Sequence, residues 1–270
     1  MSYLEYAHLP SGRRSRLAAL TERVHGRIAL LDIDPNPRTP AANAAPSGAT
    51  NDPHEAFRLA TEAGFSGVTA PIGLAETYHP DYAEILPLVL DLNPGTSHDR
   101  SAPCSASVED ALRLDAHAIS FTFHDPQQPR EEELARFHEV RSQAHRYGLP
   151  VLVRAHRPWE PQARGTDHPT AFACTAAVLG ADLVEVSLPN PIDIDDGHAT
   201  DSLIEALRAA CATPVLLKLD GGADPTLAAH VARAAADAGC AGITVSQGLW
   251  DRNHREALHQ AARLRDQLAA

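Results

Sequence analysis

Eight short apolar runs alternate with amphipathic stretches from residue 27 almost to the end of the chain, and this alternation confines it to a mainly parallel α/β architecture. The runs are "RIALLDID" (27–34), "SGVTAP" (66–71), "PLVLDLN" (87–93), "HAISFTFH" (117–124), "PVLVRAH" (150–156), "DLVEVSL" (182–188), "PVLLKLD" (214–220) and "GITVSQ" (242–247). Helical periodicity falls at 53–63, 80–86, 107–114, 130–147, 168–179, 200–211, 224–238 and 250–268. Eight strand–helix units in 270 residues fit one (β/α)8 TIM barrel, with a doubly wound sheet as the structural rival. Residues 1–26 read as an N-terminal extension, with a helix near 13–25 covering the barrel floor. The Pro/Ala-rich stretch 35–53 and the stretch 189–201 read as loops at the mouth.

The C-terminal ends of the runs carry polar residues at i and i+2, which face the same way on a strand. The pairs are Asp32 and Asp34, Asp91 and Asn93, Thr122 and His124, Arg154 and His156, Glu185 and Ser187, Lys218 and Asp220, Thr244 and Ser246. The N-terminal halves are mostly Ile, Leu, Val and Ala. One such pair is an ordinary solvated strand end. Seven of eight strands together predict a barrel with a dry base and a charged mouth, where barrel enzymes place their chemistry. The mouth would combine cations (Arg154, Lys218, with His124 and His156) and anions (Asp32, Asp34, Asp91, Glu185, Asp220). No H-x-H or H-E-x-x-H spacing accompanies the carboxylates, so no metal and no cofactor are assigned.

The formal charge of −12 argues against a nucleic-acid groove and an anionic membrane surface, and no run has the length of a membrane span. The N-terminal segment lacks the pattern of a secretory signal. Cys104, Cys174, Cys211 and Cys240 are widely spaced and read as reduced core cysteines, so a cytoplasmic protein is expected. Among 23 lysine and arginine side chains, only Lys218 is lysine. Drift toward arginine explains a scarcity of lysine but not the survivor.

Five segments resemble the class I (Schiff-base) aldolases of the archaeal-type fructose-bisphosphate, tagatose-bisphosphate and deoxyribose-phosphate aldolase group. They are "SGVTAPIGL", "SVEDALRLDAHAISFTFH", "AHRYGLPVLVRAHRP", "AAVLGADLVEVSLP" and "AADAGCAGITVSQGLWDR", in the family's order over about 27–265. The resemblance implies a TIM barrel, a small carbonyl substrate and a homo-oligomer. It also exposes departures. The family's strand-6 Schiff-base lysine falls on Glu185, and its fifth-strand aromatics, including a proton-moving tyrosine, fall on Arg154 and His156. Its eighth-strand Gly-Arg, which helps hold phosphate, falls on Ser246 and Gln247. The strand-1 aspartate is retained as Asp32 or Asp34. "KLDGG" resembles the seventh-strand K-x-x-G-G of deoxyribose-phosphate aldolases, whose lysine assists the one on strand 6.

Imine chemistry needs a neutral primary amine, which guanidinium cannot supply. Burial and a neighbouring Arg154 are expected to push the Lys218 amine down toward useful nucleophilicity. The expected catalytic set is Lys218, Glu185, His156, Asp34 and Asp32. The expected binding set is Arg154, His124, Asp91, Asn93, Asp220, Gly221, Gly222, Ser246 and Gln247, the two glycines offering backbone N–H groups to an anion. The expected function is an aldolase-like lyase acting beside a carbonyl, in a specialised biosynthetic pathway. One rival is a non-covalent acid–base cyclase, dehydratase or isomerase in which Lys218 only binds an oxyanion. The other is a non-catalytic metabolite-binding barrel.

Overall fold

The computed structural model describes residues 9–33, 52–93, 104–124, 129–155, 168–187, 198–219, 225–246 and 253–269. Eight parallel strands close into a barrel in chain order, with the last paired back to the first. They are β1 Ile28–Asp32, β2 Gly67–Pro71, β3 Leu88–Asp91, β4 Ala118–Phe123, β5 Val151–Ala155, β6 Leu183–Ser187, β7 Val215–Leu219 and β8 Gly242–Val245. The helices are α1 Ser11–Thr21, α2 Pro53–Ala63, α3 Ile72–Tyr78, α4 Val108–Arg113, α5 Glu131–Arg146, α6 His168–Leu179, α7 His198–Ala209, α8 Pro225–Ala238 and α9 His254–Ala269. This is the (β/α)8 barrel that the alternation predicts, and the doubly wound rival is excluded.

Local sequence sets the helix ends. Asp52 caps α2, its side chain accepting from the His54 N–H at 3.0 Å, with Pro53 at the first helical position. Gly64 ends the same helix at φ 74°, a conformation that favours glycine. Ser107 and Asp110 form a reciprocal capping box on α4.

The strand alternation divides the apolar residues into two cores. Ala29, Leu31, Val68, Leu90, Phe121, Val153, Val184, Leu217 and Ile243 point outward and pack under the helices. Ile28, Leu30, Val89, Ala118, Leu152, Leu183 and Leu216 point inward and meet Leu17 and Leu20 of α1. The N-terminal helix therefore plugs the barrel floor, as its sequence position suggests. It is pinned there by Arg13, which donates to Asp182 Oδ1 at 2.6 Å, while Asp182 Oδ2 accepts from the Val151 N–H at 2.9 Å.

Three expectations need correction. The helix placed at 80–86 is instead α3, which begins directly at Pro71 and is followed by a 3-10 turn over His79–Asp81. Pro71, with its fixed φ, ends β2 and starts the helix, and Pro80 cannot continue it. Residues 82–86 form turns bonded to His79 and Tyr82 carbonyls, with Tyr82 stacked on Phe57. Second, only Cys240 is a core cysteine. Burial pushes its thiol up to about 12, whereas Cys174 and Cys211 are exposed and Cys104 is intermediate. Third, residues 198–201, read as the end of a loop, are the first turn of α7. The rest of that loop, and most of 35–53, lie outside the described residues.

Gly242 lies where β8 crosses β1, and a Cβ there would stand 1.9 Å from the Ile28 carbonyl oxygen. The conflict is with backbone, so no rotamer relieves it. Gly242→Ala is expected to cost roughly 3 kcal/mol or more, the upper end for overpacking, read as a lowered midpoint in urea denaturation.

Candidate active site

The inward side chains sort into layers. Leu30, Val89, Leu152 and Leu216, from the odd-numbered strands, form an apolar floor. Two residues further along the same strands stand Asp32, Asp91, Arg154 and Lys218. Between these layers the even-numbered strands contribute Thr69, Ser120, Glu185 and Thr244. The register fixes the arrangement: Thr69 is opposite Asp32 on one side and Val89 on the other, Ser120 opposite Asp91 and Leu152, Thr244 opposite Lys218 and Leu30. Glu185 is opposite Leu216.

Arg154 is the hub. Its Nε donates to Glu185 Oε1 at 3.1 Å, its Nη1 to Asp91 Oδ2 at 3.2 Å and its Nη2 to Asp32 Oδ2. One guanidinium thus gathers carboxylates from β1, β3 and β6. Lys218 joins from β7, its Nζ donating to Asp32 Oδ2 at 3.0 Å and lying 3.8 Å from Glu185 Oε1. The side chains of Arg154, Asp32, Asp91 and Glu185 are 3–6% exposed, while that of Lys218 is 26% exposed. Lys218 is therefore the most exposed member of the cluster.

The electrostatics follow from this geometry. Burial works against the charged guanidinium of Arg154, but Asp32, Glu185 and Asp91 outweigh it and hold its pKa well above the ordinary range. Burial alone would raise Asp32; Arg154 and Lys218 overcome that and hold its carboxyl below the ordinary aspartate value. For Lys218 the expectation of a depressed amine is overturned. Burial and Arg154 do pull it down, but Asp32 and Glu185, with the hydrogen bond to Asp32, hold it above the ordinary lysine value. The sequence offered Arg154 lowering the amine and Glu185 opposing it. The fold adds Asp32 in direct contact at 3.0 Å, with Glu185 at 3.8 Å.

Other expected residues have definite places. Asn93 bridges strand ends, its Nδ2 donating to the Thr122 carbonyl and its Oδ1 accepting from the Thr122 N–H, both at 2.8 Å. Both ends of its amide extend the β3–β4 ladder. His124 follows β4, its Nδ1 3.0 Å from Glu133 Oε1, which also accepts from the His124 N–H at 2.9 Å. The Ser246 N–H donates to the Leu219 carbonyl at 3.0 Å and prolongs the β7–β8 pairing. Asp34, His156, Asp220, Gly221, Gly222 and Gln247 lie outside the described residues. Asp32 is placed within the cluster, bonded to Arg154 and Lys218.

Three site residues were not anticipated. Thr69 and Ser120 stand two positions before Pro71 and Thr122, on the inward face, where counting back by twos would have found them. Glu133 is the buried one of three consecutive glutamates that open α5; its one-turn return to the β4 end had no signal in periodicity. Among the described residues, no group of three or more His, Cys, Asp or Glu is arranged to hold a metal ion, because the carboxylates converge on Arg154 instead. No helix among them is long and apolar enough to cross a membrane.

The model of the DeoC/LacD family aldolases matches residues 34–252, most of the chain. The chain belongs to this aldolase family. Its relatives include the class 1 fructose-bisphosphate aldolases of Thermoproteus tenax, 31% identical over 225 residues (79% of this chain, 78% of that one), and of Halobacterium salinarum, 27% identical over 218 residues (77% and 78%). Among solved structures, an archaeal fructose 1,6-bisphosphate aldolase superposes with a TM-score of 0.74 at 23% identity, covering 95% of this chain and 99% of that one. The fructose-bisphosphate aldolase from Slackia heliotrinireducens gives a TM-score of 0.76 at 19% identity, covering 93% and 85%. The protein is thus an aldolase-type carbon–carbon lyase. In this DeoC/LacD aldolase, the inward position of β6 carries Glu185, and the sole lysine stands on β7.

The ion cluster makes a stability prediction. Arg154→Met removes the partner shared by three buried carboxylates and is expected to cost about 3–5 kcal/mol at neutral pH. Because the folded Asp32 carboxyl titrates below its ordinary value of 3.8, its stabilising contribution is full above that value and is lost as pH falls through the folded value. The deficit of Arg154→Met should therefore narrow in acid, as urea denaturation of both proteins at neutral pH and at a series of pH values falling below 3.8 would show.

Proposed function

We propose that this aldolase makes or breaks a carbon–carbon bond next to the carbonyl of a small metabolite, with Lys218 as the group that engages the carbonyl. The observation that carries this reading is the position of Lys218. It is the chain's only side-chain amine, and it is the exposed edge of an otherwise buried charged layer at the mouth. In the reaction, the neutral amine adds to the carbonyl carbon, the oxygen takes a proton to give a carbinolamine, and loss of water leaves an iminium. A carboxylate then takes the proton of the substrate hydroxyl, the carbon–carbon bond breaks with its electron pair entering the iminium, and an aldehyde departs from the resulting enamine. Protonation of the enamine at carbon and hydrolysis return the amine. Glu185 and Asp32, against Lys218, and His156, two residues after Arg154 in the sequence, are the proton carriers. Glu185 occupies the position where the resemblance places the Schiff-base lysine, so the nucleophile moves by one strand.

A second reading rests on the same cluster. Lys218 is held as an ammonium by Asp32 and Glu185, and an ammonium polarises a carbonyl oxygen without a covalent step. Borohydride separates the two. Incubation with a carbonyl substrate and borohydride should leave a reduced adduct on Lys218, located by peptide mapping to distinguish it from the chain's α-amine. Lys218→Arg keeps the charge and should lose at least about a hundredfold in turnover, in the range that chemical groups contribute. No adduct, with turnover surviving in Lys218→Arg, would establish the non-covalent reading.

The raised amine predicts a pH dependence. Only its neutral form attacks, so cleavage of a fluorogenic β-hydroxyketone should climb with pH through the alkaline range. Asp32→Asn removes the carboxylate in closest contact with the ammonium and should bring that climb to lower pH. We also propose a substrate outside central sugar catabolism, since Gln247 stands where the family's phosphate-holding arginine falls. Fructose 1,6-bisphosphate should be a poor substrate, by at least about tenfold in kcat/KM against the preferred one, one charge-assisted contact being worth that much.

A further inference from the structure

The layer between the apolar floor and the charged cluster has an unusual property. Each of its four side chains carries a buried polar atom without a hydrogen-bond partner: Thr69 Oγ1, Ser120 Oγ, Glu185 Oε2 and Thr244 Oγ1. All four residues are at most 3% exposed. They come from β2, β4, β6 and β8, so they surround the barrel axis at one level. Barrel layers at this depth are ordinarily filled by bulky branched apolar side chains; here three of the four are small hydroxyl residues. Below them the packing is closed. A Cβ on Gly67 would stand 2.7 Å from the Pro87 carbonyl oxygen and 3.2 Å from both Leu20 and Leu30, so the floor has no room to admit solvent.

Buried polar atoms are nearly always paired, and a small polar space offering two to four partners is where proteins keep internal water. We infer that this layer binds ordered water, which bridges the three hydroxyls to Glu185 Oε2 and makes the layer the inner proton partner of that carboxylate. Water fits the donor set better than a cation does: hydroxyls can both donate and accept, and the layer above already presents Arg154 and Lys218. The two oxygens of Glu185 then have separate duties. Oε1 faces the cations at 3.1 Å and 3.8 Å, and Oε2 faces the water. Thr69, Ser120 and Thr244 are positioning residues that act through that water. Their effect on turnover rests on the reading of Glu185 as a proton carrier, while the water itself does not.

The test has a structural and a kinetic arm. A crystal structure of the unliganded protein at high resolution should show ordered water within hydrogen-bond reach of Glu185 Oε2 and at least two of the hydroxyls. Oxygen-17 relaxation dispersion should count fewer long-lived waters in a Thr69→Val, Ser120→Ala, Thr244→Val triple variant than in the wild type. With the fluorogenic β-hydroxyketone as substrate, Thr244→Val and Ser120→Ala should each lower kcat about tenfold with little change in KM, the size of one hydrogen bond. Thr244→Ser, which restores the hydroxyl, should retain turnover. If the triple variant does not fold, the single variants carry both arms. A dry layer overturns the inference, and so does a cation there, revealed by anomalous scattering after a rubidium soak. Water present but kcat unchanged in Thr244→Val and Ser120→Ala also overturns it. Neither the density nor the water count depends on an imine, so failure of the Lys218 chemistry would leave the structural arm standing.

Discussion

The buried carboxylates at the heart of this barrel are organised by one buried guanidinium. Taking a cation and three carboxylates out of water is expensive, and the cost is recovered only where geometry lets every donor meet an acceptor. Arg154 does so because its fork is rigid and planar: Nε, Nη1 and Nη2 each address a different strand. The consequence is a constraint on the sheet. β1, β3 and β6 must bring Asp32, Asp91 and Glu185 within reach of one guanidinium, Glu185 from one layer lower, which binds distant parts of the barrel to a single register. The same bonds hold the carboxylates inward.

The layering shows how an ordinary barrel core becomes a reaction site. From the floor upward the inward positions pass from leucine and valine on the odd-numbered strands, through three hydroxyls and Glu185 on the even-numbered ones, to Asp32, Asp91, Arg154 and Lys218 two residues above the floor. Within the cluster Lys218 is the most exposed side chain, and it is tied to Asp32. α1 completes the gradient from beneath by sealing the floor with Leu17 and Leu20.

The fold was legible because a parallel barrel writes itself twice in the sequence, as apolar strands and as amphipathic helices. The exceptions are instructive. Residues 80–86 look like a helix, and only the closing of β2 at Pro71 shows that the helix has already been made. The site was legible in part. Period-two counting found Asp32, Asp91, Arg154, Glu185 and Lys218 because closure of a barrel brings every inward position together. It could not say which contacts each would choose. Asn93 looked like a substrate ligand yet repairs a strand end, because an amide matches a backbone ladder with both its ends. The direction of the Lys218 shift was also beyond reach. Its sign depends on whether carboxylate or guanidinium stands nearer, and sequence spacing carries no such distance.

The distinct uses of the two cations explain why one is arginine and the other lysine. At position 154 the requirement is three acceptors in three directions, which a fork satisfies and a point charge does not. At position 218 the acceptors are not separate. Asp32 Oδ2 receives both Arg154 and Lys218, and Glu185 Oε1 lies against both. A second planar guanidinium at 218 would have to share oxygens whose approach directions the first already occupies, and it would crowd a fully buried cation of the same sign. A compact ammonium on a flexible stem can take the remaining approach to Asp32 and still extend toward the mouth. Position 218 therefore suits a compact ammonium on electrostatic grounds, before any chemistry is asked of the amine. The reactivity that we propose for Lys218 uses a group that the cluster already had reason to keep.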